Sequence, residues 1–265
     1  MKALVLSAGY GERLRPLTNT IPKPLLEVGG RPLIEYALLI LKAAGITEIA
    51  INVHHLARQI EDALGDGRAR GLALTYSPEA VLMGTGGPLL ALRDYFAHDT
   101  FVILNSDTIM DLDLADVLAR HREHRGLATL VLRATSTPDA YSRVEIDAGG
   151  RIRRMRLLKN RALGEFDDHP PALDSTVAAG LQPFMYCGVM VCEPAVLTAM
   201  PQAAPFSLVG DLLVPRLTQG SALFGYVHEG FFRTVDDLRS YEALRAEFAM
   251  TAPPLACLRA GQGAS

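Results

Sequence analysis

Through its first half the chain alternates short apolar runs rich in Val, Ile and Leu with stretches of helical periodicity, an order that few architectures accommodate. The runs fall at residues 2–7, 48–53, 72–76, 101–105 and 128–133, and the helical patterns at 32–44, 56–64, 87–96 and 114–125. Near-continuous apolar strands joined by helices predict parallel strands buried on both faces, because each crossover helix lies back against the sheet. Pro32 at a first-turn position and Gly45 just past the last periodic residue frame the first helix. The expected fold class is therefore α/β, a Rossmann-like, mixed and mostly parallel sheet with helices on both faces. Such sheets place ligands at the carboxyl ends of their strands, which singles out the loop after the first run and Asn105–Asp107 after the fourth.

The second half reads differently. Val144–Asp147 and Arg151–Met155 flank an Ala-Gly-Gly turn, a hairpin signal. Residues 160–180, rich in Asp, Pro, Ala and Gly, read as a loop or mobile insertion. Strand patterns return at Met185–Cys192, Leu223–Val227 and Phe231–Val235, and Asp237 is placed to cap a last helix carrying Leu238, Tyr241, Leu244 and Phe248 on one face. The 265 residues, 49% of them hydrophobic, suffice for one large α/β domain over about 1–250, with 251–265 expected to trail off disordered.

Composition excludes several classes of function. A net charge of −3, with no Lys/Arg run longer than the Arg151–Arg156 cluster, argues against general nucleic-acid binding. Cys187, Cys192 and Cys257 show no paired spacing, and the first two lie an odd number of residues apart in a strand-like run, so they are expected on opposite faces. Neither a disulfide nor a zinc site is expected, and a cytoplasmic location is. The N-terminus lacks a basic region followed by a long apolar segment, and no stretch of about 20 uninterrupted apolar residues exists, so neither a signal peptide nor a membrane span is expected.

The chemistry concentrates in Leu6–Leu25, LSAGYGERLRPLTNTIPKPL. Gly9 and Gly11 let the backbone turn closely around a ligand, and their bare amides can bind oxyanions. Leu14 stands where a dinucleotide fingerprint wants a third glycine, and no Gly-Lys-Ser/Thr follows, so neither that fingerprint nor a P-loop fits. Two fixed cations, Arg13 and Lys23, suit a polyphosphate, and Pro22 restricts the backbone beside the lysine. His54, His55, His121 and His124 lack metal-ligand context and read as structural, the last two on an exposed-looking basic helix.

Gly9, Gly11, Arg13, Pro16, Thr18, Pro22 and Lys23 fill a G-x-G-x-R-x-x-P-x-T-x-x-x-P-K string without a gap, the signature of the sugar-1-phosphate nucleotidyltransferases, which this chain resembles. Gly-Thr-Gly-Gly at 84–87, Leu-Asn-Ser-Asp at 104–107, Phe-Ser-Leu at 206–208 and a closing 232–241 segment extend the resemblance over about residues 1–248. It implies the nucleotide-diphospho-sugar transferase type of fold, with a nucleotide-binding half at about 1–110 and a sugar-binding half at about 111–250. It also implies a reaction in which an NTP and a hexose 1-phosphate give an NDP-sugar and pyrophosphate, in the presence of Mg²⁺. Arg13 would grip the triphosphate and Lys23 would act at the pyrophosphate and transition state. Ala8, Gly9, Gly11, Gly84, Gly86 and Gly87 would contact the nucleotide, and Glu79 would accept a ring N–H of guanine or uracil. Lys159 would bind the sugar phosphate, although Leu-Lys-Asn replaces the usual Glu-Lys-Pro there, and Gly188 would let the sugar approach a strand.

Asp107, closing a buried apolar run, matches the family's metal carboxylate. The second metal carboxylate departs from the pattern: Thr234 stands at its position, with Asp236 two residues on and Asp237 after it. Asp236 reaches the metal if the strand stays extended; otherwise both aspartates cap the last helix. The family's members divide by substrate. Leu-Met-Gly-Thr-Gly-Gly-Pro and Leu-Asn-Ser-Asp are similar to mannose-1-phosphate guanylyltransferases, and Ser-Pro-Glu at 77–79 is similar to N-acetylmuramate-1-phosphate uridylyltransferases. The leaning is to GTP and a mannose-type sugar. A catalytically weak NDP-sugar-binding regulatory homologue is the alternative that Thr234 raises, and a cytidylyltransferase acting on a non-sugar phosphate shares the first loop. The resemblance leaves open a homo-oligomer.

Overall fold

The computed structural model describes residues 1–135, 142–160, 165–167, 180–251 and 255. They fall into two compact units: Met1–Leu82, Phe101–Ala115 and the chain from Gly230 onward form one, and Met83–Thr100 with Asp116–Glu229 form the other.

In the first unit β1 (Lys2–Leu6), β4 (Glu48–Val53), β5 (Ala73–Pro78) and β6 (Phe101–Asn105) make a parallel sheet in the order β6-β1-β4-β5. Ala3–Val5, Ile49–Ile51 and Phe101–Ile103 are fully buried, as expected for strands covered on both faces. Two short antiparallel ladders complete the unit: β2 (Glu27–Val28) with β3 (Arg31–Pro32), and β7 (Thr108–Met110) with β14 (Phe232–Thr234). Helix α1, Leu33–Ala43, buries seven side chains from Leu33 to Leu41 and leaves Lys42 outside, so burial rather than intrinsic propensity holds it. Helix α2 covers Ala57–Leu64. The last helix, Leu238–Met250, buries Tyr241 and Leu244. Asp237 is its N-cap: the carboxylate accepts from the Ser240 amide at 2.8 Å, while Ser240 Oγ accepts from the Asp237 amide at 2.9 Å.

The register decides where side chains emerge. Leu6 lies opposite Asn52 and Asn105, and Asn52 opposite Ser77, so one row crosses all four parallel strands near their carboxyl ends. Ser7, Glu79 and Asp107 follow just beyond that row. Ser106 fixes the turn into β7, its amide and hydroxyl both donating to the Leu6 carbonyl, at 3.2 and 2.7 Å.

The second unit contains β8 (Ala128–Arg133), β9 (Arg143–Ile146), β10 (Ile152–Asn160), β11 (Glu165–Asp167), β12 (Gln182–Cys192) and β13 (Leu223–Val227). Here β8 pairs parallel with β13, and the other pairings are antiparallel. The pattern expected to give one helix over 87–96 instead gives two single turns, Pro88–Ala91 and Arg93–Phe96. The segment read as a loop over 160–180 contains a strand, because Glu165–Asp167 pairs with β10 through a register shift. Most of that segment lies outside the described residues. Of the expected disordered tail, Thr251 and Leu255 are described, Leu255 buried; the rest, Cys257 included, lies outside them.

The hairpin signal at 148–150 is realised. Asp147 Oδ1 accepts the amides of Gly149 and Arg151 at 2.9 and 3.0 Å, and Oδ2 accepts Arg153 Nε at 2.7 Å. Partial burial pushes the Asp147 carboxyl upward, but the Arg153 side chain and the Arg151 and Gly149 amides outweigh it, so its pKa lies below the ordinary 3.8. Because the folded pKa is lowered, this stabilisation is present above pH 3.8 and is lost as pH falls through the folded value. Asp147→Ala is expected to cost about 1–2 kcal/mol at neutral pH, a difference that shrinks on acidification below that window. Denaturant midpoints of both proteins across that range measure it, and a pH-independent difference would contradict the assignment.

Cys187 and Cys192 are buried and unpaired. A bulge between Tyr186 and Met190 separates them, so strict strand alternation does not carry from one to the other. Burial raises the Cys187 thiol to about 12 and lifts Cys192 as well, which leaves both thiols inert at neutral pH. The helix Leu114–His124 is corrected in one respect: His121 is 1% exposed, bonded through Nδ1 to Thr129 Oγ1 and through Nε2 to Glu193 Oε1. His124 stacks on Phe224, with centroids 4.2 Å apart. Both histidines are structural, but the first belongs to the core. Among the described residues no helix is long and apolar enough to cross a membrane.

Candidate active site

The loop after β1 is shaped by Gly11, whose φ of +63° is left-handed. A Cβ there would lie 2.9 Å from Thr18 Cγ2 and 3.2 Å from Lys23 Cβ, so a side chain would be strained and would also push the returning loop away. Thr18 is buried, and its hydroxyl donates to the Gly11 carbonyl at 2.9 Å, closing the loop on itself. Gly9 behaves differently: a Cβ there would meet nothing within 4 Å, so its backbone borders open space.

Two histidines brace this loop. His54 bonds the Glu79 carbonyl through Nδ1 at 2.7 Å and the Tyr10 hydroxyl through Nε2 at 3.0 Å. His55 Nε2 donates to the Thr18 carbonyl at 2.7 Å, and Tyr10 packs against both imidazoles.

Both loop cations meet a carboxylate. Lys23 Nζ donates to Asp107 Oδ2, with side chains 15% and 24% exposed. Arg13 Nη2 lies 3.6 Å from Asp236 Oδ1, the arginine more exposed than its partner. The β7–β14 ladder brings the two acids close in the fold: Thr108 pairs with Thr234, and the Val235 amide donates to the Asp107 carbonyl at 3.0 Å. The Asp236 carboxylate faces Arg13 and Asp237 does the capping, so the alternative in which both aspartates cap the helix holds for the Asp237 side chain and not for that of Asp236. The Asp236 amide itself donates to Ser240 Oγ at 3.0 Å.

Magnesium takes a few carboxylates, with phosphate oxygens and water completing its shell, and Asp107 and Asp236 are donors of that kind. Among the described residues no group of three or more His, Cys, Asp and Glu side chains could hold a metal by itself. Two carboxylates fit an ion whose remaining shell is phosphate oxygens and water.

Glu79 is 6% exposed, and its Oε1 accepts from Asn52 Nδ2 at 2.7 Å. Asn52 Oδ1 in turn accepts the Ser7 amide at 2.8 Å. Sequence reasoning missed Asn52, although a lone polar residue inside the apolar run Ile49–Val53 was the available signal.

In the second unit the three glycines at 84, 86 and 87 have a packing reason. A Cβ on Gly84 would lie 2.5 Å from the Phe206 carbonyl oxygen, one on Gly86 2.2 Å from the Phe206 ring, and one on Gly87 2.2 Å from the Met83 carbonyl oxygen. The Gly86 amide donates to the Phe206 carbonyl at 3.0 Å, and Thr85 Oγ1 accepts the Leu208 amide at 2.9 Å. The Phe206–Leu208 motif is thus the structural partner of the glycine loop, a link that spacing alone did not reveal. Gly188, with φ +77°, sits inside the β12 bulge. Lys159 lies near the end of β10, and its side chain is outside the described residues.

Comparison with known proteins bears on the fold and the family. A Bacillus anthracis structure described as a glucose-1-phosphate thymidylyltransferase in complex with a sucrose superposes with a TM-score of 0.76 at 20% identity, covering 94% of this chain and 95% of that one, which shows the shared α/β fold. The chain is 30% identical over 262 residues to a mannose-1-phosphate guanylyltransferase of Mycobacterium tuberculosis, covering 98% of this chain and 68% of that protein. It is 52% identical over 114 residues to an N-acetylmuramate alpha-1-phosphate uridylyltransferase of Neisseria meningitidis, covering 43% of this chain and 49% of that protein. Against such curated relatives the chain spans about half to two thirds of their length. Residues 2–156 match the Nucleotidyl transferase family, and that stretch holds the glycine loop, Arg13, Lys23 and Asp107 in the arrangement described; the chain belongs to this family.

Proposed function

We propose that the protein transfers a nucleotidyl group from an NTP to a sugar 1-phosphate, forming an NDP-sugar and releasing pyrophosphate. The observation that carries this reading is the pairing of each loop cation with an acid from the β7–β14 region, Lys23 with Asp107 and Arg13 with Asp236. Bringing two phosphate anions together requires positive charge fixed before they arrive, and Lys23 and Arg13 supply it from a loop already closed by Thr18. The sugar phosphate oxygen attacks the α-phosphorus in line, and pyrophosphate leaves against the lysine, with no covalent enzyme intermediate. Asp107 and Asp236 would hold Mg²⁺, which would neutralise phosphate charge in the transition state. The open space beside Gly9 suits close approach of the nucleotide to the backbone. Gly84, Gly86 and Gly87 would contact the base and Lys159 and Gly188 the sugar phosphate.

The preferred substrates are GTP and a manno-configured sugar 1-phosphate, supported by the Mycobacterium relative that matches 98% of the chain. A second reading, UTP with N-acetylmuramate 1-phosphate, is favoured by the 52% identity over 114 residues to the Neisseria protein. Glu79 suits either, because guanine and uracil both present a ring N–H to an acceptor. Pyrophosphate release from GTP, UTP, ATP, CTP and dTTP against a panel of sugar 1-phosphates separates them: turnover with GTP and mannose 1-phosphate supports the first, and turnover confined to UTP and N-acetylmuramate 1-phosphate supports the second.

Asp236→Asn is expected to raise the Mg²⁺ concentration for half-maximal activity about tenfold. An unchanged titration would show that Asp236 serves Arg13 alone.

A further inference from the structure

Ser7, at the carboxyl end of β1, is 4% exposed, and its Oγ is the only buried side-chain nitrogen or oxygen without a hydrogen-bond partner among the described residues. Its surroundings are otherwise paired. The Ser7 amide donates to Asn52 Oδ1 at 2.8 Å, and Asn52 Nδ2 donates to Glu79 Oε1 at 2.7 Å. This pattern fixes the Asn52 amide, since an N–H can point only at its oxygen and a carboxylate only at its nitrogen. The network therefore runs across the ends of β1, β4 and β5 and leaves one atom over. A hydroxyl buried in that state carries a desolvation penalty that an alanine would avoid, which calls for a reason to keep it. Two residues further on, Gly9 borders open space.

We propose that Ser7 is a nucleotide-contacting residue whose hydroxyl, unpaired in the free protein, pairs with the nucleoside part of the bound NTP. The inference rests on the nucleotidyltransferase reading above. The nucleoside is favoured over the phosphates because Ser7 shares Asn52 with Glu79, the residue assigned to the base, whereas the phosphate-binding cations are Arg13 and Lys23. An added pairing of this kind raises affinity for nucleotide without entering the chemistry.

Ser7→Ala tests this with two effects of opposite sign. Without sugar phosphate, calorimetric titration of the full chain with GTP and UTP in Mg²⁺ is expected to show about 5–10-fold weaker binding than wild type for the nucleotide that wild type binds. Binding of inorganic tripolyphosphate is expected to stay unchanged. The Tm of the free variant is expected to rise by about 2 °C or more, because the orphaned hydroxyl is gone. Unchanged nucleotide affinity, an equal loss with tripolyphosphate, or a Tm that does not rise would overturn the proposal. If wild type bound no nucleotide, the functional reading would fall with it; if wild type bound and Ser7→Ala bound equally, only the role of Ser7 would fall.

Discussion

Lys23→Ala is expected to lose turnover by about 10³-fold or more while retaining the wild-type fold. The lysine is mostly buried at 15% exposure, held between the closed loop and Asp107, so its charge is fixed in place before any phosphate arrives. A preplaced cation in a partly water-excluded site stabilises developing negative charge more than solvent does, and in the proposed reaction that charge develops on the departing pyrophosphate. The loss is therefore expected in kcat, with KM for the NTP changing less, because the interaction strengthens in the transition state. Stability should change little: the Asp107 left behind is 24% exposed and can be hydrated, so the cost stays at about 1 kcal/mol or less. Steady-state kinetics with circular dichroism on the same preparation measure both parts. A folded Lys23→Ala protein with wild-type kcat would remove the phosphate-site assignment.

Asp107→Asn is the second large effect, expected at about 10²–10³-fold in kcat together with a raised Mg²⁺ requirement. The substitution is informative because asparagine is nearly isosteric and forms turns as readily as aspartate. It also leaves untouched the backbone bond from the Val235 amide to the Asp107 carbonyl, which ties β7 to β14. If Asp107 served only to end the strand, asparagine would do so too, and activity would be preserved. What asparagine cannot supply is the negative charge that Lys23 faces and that a metal-bound triphosphate would meet. Full activity at ordinary magnesium concentration would therefore return Asp107 to the status of a turn residue.

Much of the site was legible because its logic is local. The string from Gly9 to Lys23 has fixed offsets, and the structure shows what they do: Gly11 supplies a left-handed turn, Thr18 closes it, and Lys23 returns to where a side chain on Gly11 would crowd it. The Asp147 hairpin and the Asp237 cap were legible for the same reason, since both bond within a few residues of themselves. Features that depend on distant segments were not. Nothing local in His121 shows that it will face Thr129 and Glu193 and be buried. The link from Gly84–Gly87 to Phe206 spans more than a hundred residues, and only the close approach of the two backbones reveals it. The strand at Glu165–Asp167 was obscured by composition, because its pairing with β10 gives order that Asp, Pro and Gly nearby do not advertise. Asp236 is intermediate: spacing offered two roles, and the geometry pairs its carboxylate with Arg13.

The central proposal is that this chain, with Thr234 where the sequence pattern it resembles has an acid, performs nucleotidyl transfer. The most direct test incubates the wild-type protein with α-³²P-labelled GTP or UTP, the matching sugar 1-phosphate and Mg²⁺, and follows the label. Label appearing in an NDP-sugar, with one unlabelled pyrophosphate per product and no transfer in EDTA, is the predicted result. No labelled NDP-sugar with any pair, while added NDP-sugar still raises the Tm, would contradict it and identify a binding protein.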